Sequence, residues 1–523
     1  MTKREALNGK PYAGNPHVRF DEGEAASTAT SRRGSLLYKI MTIACVVATG
    51  AALHGGAVPV PKAVPVPRNV PELMTTASGE KVVSIEQWEK VRAPELFALF
   101  EREEYGRRPA AANERGRVSF EVYDVCDALD GKAVRKLVRA TYKGPNGNFS
   151  FPFTAYIPKT ATAECPAPAF VLAANIKRGI LDEKQGLSTV FWPVEEIVAR
   201  GYATAAFRFD FVAADKRGAG FSQGIFPAVQ PKSERDAESW ATLSAWAWAD
   251  SRILDWMETE PLIDAKHVGV VGHSRGGKTA IWAGVTDKRF AMVCSNNSGC
   301  SGAKLNHIVL PKSEHIKQIL KSFPYWFCAN YRKYAGKEMT MLFDQHQLLA
   351  LVAPRLLCVG SATEDHWCGP LGEWWAAKLA SPAWELYGKK GLVADAYPEP
   401  EKPQQEGCIS YHLRKGPHFL APYDWNRYMD FADRHGWRDS PPQLDGRNVG
   451  GLARRMRRVG RSSPKQCRNL TRRRDLASSC GAISLSPCRR VLHFQGGRDS
   501  VCDLETTATP LCQRHAIRRG KRK

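Results

Sequence analysis

Val268-Gly-Val-Val-Gly-His-Ser-Arg-Gly-Gly-Lys278 joins an apolar strand to an Ala-rich helix through Gly272-His273-Ser274-Arg275-Gly276. A serine on so sharp a turn, at the carboxyl end of a strand, needs strained backbone angles. Small residues two before it and two after it leave room for the turn. The N–H of Arg275 then points to where negative charge gathers on an attacked carbonyl, and the helix starting there adds a partial positive charge. Ser274 is the candidate nucleophile of an acyl-transfer reaction. The bland alternative is an ordinary strand-to-helix turn, against which the apolar strand before and the helix after both weigh.

The segments around this elbow alternate in period. Strands read at Ala169 to Ala174, Tyr202 to Phe209, His267 to Val271, Ala291 to Ser295 and Arg355 to Gly360. Helices read at Val194 to Arg200, Trp240 to Thr259, Lys278 to Gly284 and Asp424 to His435. Such alternation predicts an α/β fold with a mostly parallel central sheet and helices on both faces. With the elbow, this is the α/β-hydrolase arrangement, in which an acid and then a histidine follow the serine. His418, after Gly416-Pro417 and before the last helix, is the expected base. His412 lies in a strand-like run and reads as structural; His366 ranks third. Glu364 and Asp365 follow the strand Leu356 to Val359 on a loop, with Asp365 the expected acid and Glu364 the alternative. The bland reading of either is a carboxylate capping a turn.

The chain has 523 residues and a formal net charge of +22, unevenly placed. Residues 441–523 hold 20 Lys and Arg against 5 Asp and Glu, residues 1–70 hold 9 against 4, and the middle is near neutral. Basicity therefore belongs to the ends, which argues against a nucleic-acid-binding core. Arg32 and Arg33 precede an apolar run from Ile40 to Leu53 and small residues to Ala57, the pattern of a secretory signal. The run is short for a bilayer span, so no stable membrane span is expected. We expect a polar extension with a signal-like segment at 1–57, a Pro-rich linker at 58–80, the esterase domain at 81–440 and a basic disordered tail at 441–523. Secretion or a periplasmic location follows, with membrane anchoring by an uncleaved segment as the alternative; a monomer is expected. Five of the 14 cysteines fall in the tail, and the other nine lack paired C-x-x-C spacing, so no metal is expected. A disulfide among Cys294, Cys300 and Cys328 competes with buried free thiols, the preferred reading.

The stretch Gly272 to Gly284 resembles the bacterial glucuronoyl esterases, carbohydrate esterase family fifteen. So do Ser295-Asn-Asn-Ser-Gly-Cys-Ser-Gly-Ala303, Ser322-Phe-Pro-Tyr-Trp-Phe-Cys328, Asp344 to Arg355, Glu364-Asp-His-Trp367 and Pro422-Tyr-Asp-Trp425, in order between about Ser84 and Trp437. The resemblance implies hydrolysis of the ester between a 4-O-methyl-glucuronoyl group of glucuronoxylan and a lignin alcohol, without a cofactor. It implies Ser274 as nucleophile, His418 as base and Arg275 as a holder of the oxyanion. It also implies Lys278 and Glu314 against the sugar and Trp367 packing on the uronate.

The chain departs from the family pattern at two places. Many members carry the acid just before a Ser-Gly soon after the nucleophile; here Asn297 stands there, and an amide cannot stabilise an imidazolium as a carboxylate does. The acid role then falls on Asp365. Asn306 to Lys312 also replaces a stretch that is Arg-rich in the family. Bland readings remain for each residue carried over: Lys278 as a surface lysine, Arg275 on a structural carboxylate, Trp367 as core filling. Trp246, Trp248, Trp374 and Trp375 read as packing. Two other functions compete: an acetyl-xylan or other carbohydrate esterase on the same fold, and an inactive carbohydrate-binding homologue.

Overall fold

The computed structural model describes residues 67–174, 189–219, 221–310 and 312–438. The expected N-terminal extension, the basic tail and the first part of the linker lie outside the described residues. Nine strands form a single sheet: β1 Val118–Ala128, β2 Ala133–Gly144, β3 Gly147–Pro158, β4 Ala167–Ala174, β5 Ala203–Arg208, β6 Ile263–His273, β7 Met292–Asn296, β8 Leu356–Ala362 and β9 Ile409–Arg414. Their order is β1-β2-β3-β5-β4-β6-β7-β8-β9. From β5 to β9 every neighbouring pair is parallel. The expected mostly parallel α/β-hydrolase sheet is what the chain forms.

Every residue of β4 is buried, because both faces of the sheet are covered and a continuous apolar run suits both. Alternate residues serve different cores: Ala169, Val171 and Ala173 face one, and Phe170, Leu172 and Ala174 face the other. The first core is covered by helices α1 Ala93–Phe100, α3 Thr242–Met257 and α4 Arg275–Thr286, and the second by α2 Val194–Ala199 and α8 Pro422–Arg434. Between α4 and α8 come α5 Ile316–Ser322, α6 Gln345–Ala350 and α7 Pro370–Ala380. All sixteen residues of α3 are buried. Its tryptophans pack as expected, with Trp246 stacked on Phe209 at 4.0 Å between ring centroids. Trp374 and Trp375 are buried on α7.

One element went unsignalled in the sequence, and one expected boundary differs. β1 to β3 form an antiparallel meander joined to β5, which the sequence did not signal. β1 is an edge strand with most of its residues partly or fully exposed, so no clean alternation marks it. Residues 71–80, expected as linker, are folded onto the domain. The carbonyls of Pro71, Glu72 and Leu73 accept hydrogen bonds from His346, Gln347 and Arg92 at 2.9 Å each. The buried Leu73 carbonyl needs a partner, which Arg92 supplies. Among the described residues no helix is long and apolar enough to cross a membrane, and Cys294, Cys300 and Cys328 are free thiols.

Candidate active site

Ser274 sits between β6 and α4 with φ 57° and ψ −120°, a backbone conformation that L-residues rarely adopt. The flanking glycines are sterically required. A Cβ on Gly272 would lie 1.8 Å from the Gly276 carbonyl oxygen, and one on Gly276 would lie 2.9 Å from that of Ala173. The elbow is tied to the next strand, since the Ser274 N–H donates to the Asn296 carbonyl at 2.9 Å.

The other candidates stand on the carboxyl ends of adjacent parallel strands. The Asn297 N–H donates to the Gly360 carbonyl at 2.7 Å, and the Thr363 N–H to that of Arg414 at 2.9 Å, so the ends of β7, β8 and β9 are braced. Asp365, on the loop after β8, is 2% exposed. His418, on the loop after β9, approaches Asp365 Oδ2 with Nδ1 at 2.6 Å. The His418 ring also lies 4.3 Å from that of His273, the residue before the serine. Burial alone pushes the Asp365 carboxyl up. The His418 charge and the hydrogen bonds from His418, Asn297 and Cys368 outweigh it and hold the group well below the usual carboxylate range. His273 is pushed well below the ordinary histidine value, first by burial and then by the neighbouring His418; its Nδ1 meets Asn296 Oδ1 at 2.7 Å.

The alternatives fall elsewhere. Glu364 and His366 are exposed. His412 is fully buried, with Nε2 2.8 Å from Asp424 Oδ1, and Arg414 shares that carboxylate. It is a structural residue behind the site, as its strand position suggested.

Arg275 and Lys278 occupy the first turn of α4. The Arg275 guanidinium donates to the Asp215 carboxylate and lies over the rings of Phe323 and Trp326, at 5.0 and 4.8 Å. Lys278 is 3% exposed, donates to the Ser298 carbonyl and lies 5.9 Å from the Trp326 ring; it is no surface lysine. The Glu314 carboxyl accepts from the Trp367 side chain. Burial raises its pKa, and Lys278 and Lys304 work against that rise. The Glu314 N–H also donates to the Trp367 carbonyl at 2.8 Å, which locks the two expected sugar-contacting residues together.

Three residues of this constellation were not singled out for these contacts by the sequence. Asp215 accepts from Arg275, and also from Tyr325 Oη and Trp326 Nε1 at 2.9 Å each. The sequence offered one signal, the reading of Arg275 on a structural carboxylate, without naming Asp215. Lys304 is fully buried, with Nζ donating to the Glu314 carbonyl at 3.1 Å. Cys368 donates its thiol hydrogen to the Asn297 carbonyl at 3.0 Å and lies 3.5 Å from His418 Nδ1. Asp365, Cys368 and His418 bring three potential ligand atoms within 4.8 Å of one another. These atoms are already engaged with each other and with Asn297, so an incoming cation would have to displace hydrogen bonds.

A strained serine at a helix N-terminus, next in sequence to a histidine whose ring lies 4.3 Å from that of the Asp365-bonded His418, gathers in one region the groups that nucleophilic acyl transfer needs. Comparison with known proteins points to ester hydrolysis. A family model described as glucuronyl esterase, fungi, matches residues 146–388. Carbohydrate esterase MZ0003, from an unknown prokaryotic organism, is 35% identical over 394 residues, covering 70% of this chain and 89% of that protein. The solved glucuronoyl esterase from Solibacter usitatus superposes with a TM-score of 0.64 at 34% identity, over 72% of this chain and 99% of that one. The 4-O-methyl-glucuronoyl methylesterase of Podospora anserina is 27% identical over 322 residues, 60% of this chain and 59% of that one.

Proposed function

The chain belongs to the glucuronoyl esterases of carbohydrate esterase family 15 and is a carboxylic ester hydrolase; from that premise we propose that it cleaves the ester joining a 4-O-methyl-glucuronoyl group of glucuronoxylan to a lignin alcohol. The observation that carries this reading is the 2.6 Å contact of His418 Nδ1 with the buried Asp365, the His418 ring lying 4.3 Å from that of His273, the residue before the strained Ser274.

In the proposed reaction His418 takes the Ser274 proton through Nε2 while Nδ1–H stays on Asp365. The serine oxygen attacks the uronic ester carbonyl. The Arg275 N–H and guanidinium stabilise the oxyanion, the helix N-terminus adding its partial charge. The tetrahedral intermediate collapses, and the alcohol departs with the proton returned by His418. Water, deprotonated by His418, then attacks the glucuronoyl-serine ester, and the acid product leaves with Ser274 reprotonated. Lys278, Glu314 and Trp367 hold the sugar, and the cations beside Ser274 suit a product bearing a carboxylate. The name of the Podospora anserina relative, a 4-O-methyl-glucuronoyl methylesterase, favours a uronic ester over an acetyl group. Export is proposed from the apolar run between Ile40 and Leu53 after Arg32 and Arg33.

The test is hydrolysis of benzyl glucuronate beside acetylated xylan, by the native chain and by Ser274→Ala. We expect turnover of the glucuronate ester, little release of acetate, and loss of activity in the variant. Preferential deacetylation of xylan would replace the proposed substrate, and an unimpaired Ser274→Ala would remove the proposed nucleophile.

A further inference from the structure

We propose that Asn297 is a positioning residue for this reaction, its side-chain amide holding the Asp365 carboxylate in the orientation that receives His418. The proposal rests on the Ser274–His418–Asp365 reading above. Asp365 Oδ2 accepts two N–H groups, one from His418 Nδ1 and one from Asn297 Nδ2, each at 2.6 Å. Its other oxygen takes the Cys368 backbone N–H at 3.3 Å. With 2% of Asp365 exposed, water has little access to replace a lost donor.

Asn297 is itself fully buried and held on both sides. Its N–H is on Gly360, its carbonyl takes the Cys368 thiol, and its φ of 46° is one that Asn tolerates better than most residues. The side-chain oxygen has no hydrogen-bond partner, so the amide's single polar contact is with Asp365. A buried residue kept for packing alone would more suitably be apolar, because an unpaired buried amide oxygen is unfavourable. The contact to Asp365 is what gives the amide a role.

Free rotation of Asp365 would swing Oδ2 off the imidazole, and a small misplacement of a catalytic group slows the chemistry steeply. The amide adds a second fixed donor on the same oxygen, and it also favours the ionised carboxyl, so the proton stays on His418. A carboxylate at 297 would instead face Oδ2 at the same 2.6 Å, and two buried anions so close share a proton. The charged or titratable groups facing Asp365 are His418 and the Cys368 thiol, with His273 and Glu373 at longer range.

The test compares Asn297→Gly, which suits the positive φ and deletes the amide, with Asn297→Asp, which keeps its shape. The kcat and KM for benzyl glucuronate are measured across pH 5 to 9 in the full chain, with thermal midpoints alongside. We expect Asn297→Gly to lower kcat about tenfold or more with KM within about twofold. In Asn297→Asp the acid limb of the kcat/KM profile should move up by about one pH unit, because the proton shared by the two carboxylates is lost only at higher pH. An unchanged kcat in Asn297→Gly, or an unmoved pH profile in Asn297→Asp, overturns the proposal. Asp365→Asn serves as the control for the reading beneath it. If Asp365→Asn stays fully active, the triad reading fails; if it is crippled while Asn297→Gly is unaffected, the triad stands and the role of Asn297 falls.

Discussion

The guanidinium of Arg275 is held by Asp215, sixty residues earlier in the chain, and Asp215 also anchors Tyr325 and Trp326. The aspartate thereby fixes both the cation and the two aromatic side chains around it. Asp215→Ala frees the guanidinium and removes the acceptor of Tyr325 Oη and Trp326 Nε1. We expect kcat/KM for benzyl glucuronate to drop about a hundredfold. Asp215→Asn, which can still accept from Tyr325 and Trp326, should lose less. Wild-type kinetics in Asp215→Ala would mean that the Arg275 side chain does not act on the oxyanion.

Glu364 and Asp365 are neighbours in sequence and opposites in environment, one exposed and the other buried against His418. Asp365→Asn should lower kcat by about four orders of magnitude, as loss of the orienting acid does in serine triads. Glu364→Gln should leave kcat within about twofold. Steady-state kinetics on both variants decide the matter, and the reverse ranking would hand the acid role to Glu364.

The two elbow glycines differ in the room they have. At Gly272 a methyl group would collide with backbone at 1.8 Å, and at Gly276 the nearest atom is 2.9 Å away. Gly272→Ala should therefore fail to give folded protein, or melt more than about 10 °C lower, whereas Gly276→Ala should be destabilised by about 1–3 kcal/mol. Thermal melts of the two variants measure the difference; equal midpoints would contradict it.

Glu373 is fully buried beneath the Asn297–Gly299 turn, taking the Gly299 N–H at 2.9 Å and the Ser361 hydroxyl at 2.6 Å. Burial raises its pKa from 4.5 to about 7, against the pull of those donors. Because the folded value is the higher one, its contribution to stability is fully present below about pH 4.5 and is lost as pH rises through about 7. The loss amounts to about 3 kcal/mol over that window. Glu373→Gln cannot titrate, so relative to the native chain it should gain stability between pH 5 and pH 8. Urea midpoints at the two pH values test this, and a gap that does not change with pH refutes it.

The elbow was legible because its chemistry is local: a strand, a strained serine, two glycines and a helix lie within about twenty residues. The parallel strands β4 to β8 were legible because burial on both faces writes a short apolar run into each of them, such as Ala169 to Ala174, Ala203 to Phe207 and Val268 to Val271. Asp365 and His418 were found as loop residues behind late strands, in an order the elbow implies. The meander of β1 to β3 was not found: β1 is an edge strand with no buried residue, and Arg and Lys interrupt the apolar residues of β2. Nor was the packing of residues 71–80, whose hydrogen-bond partners Arg92, His346 and Gln347 lie well away in the chain.

Asp215, Asn297 and Cys368 mark the same limit at the site. Ser274, with the order of residues after it, determined by itself what kind of reaction this chain could run. Only the tertiary structure decided that Asp365 rather than Glu364 meets His418, that Asp215 holds Arg275, and that Asn297 braces the acid. Those pairings join loops from four or more strand ends, and which side chains meet there depends on strand order and register. No local stretch of sequence encodes either.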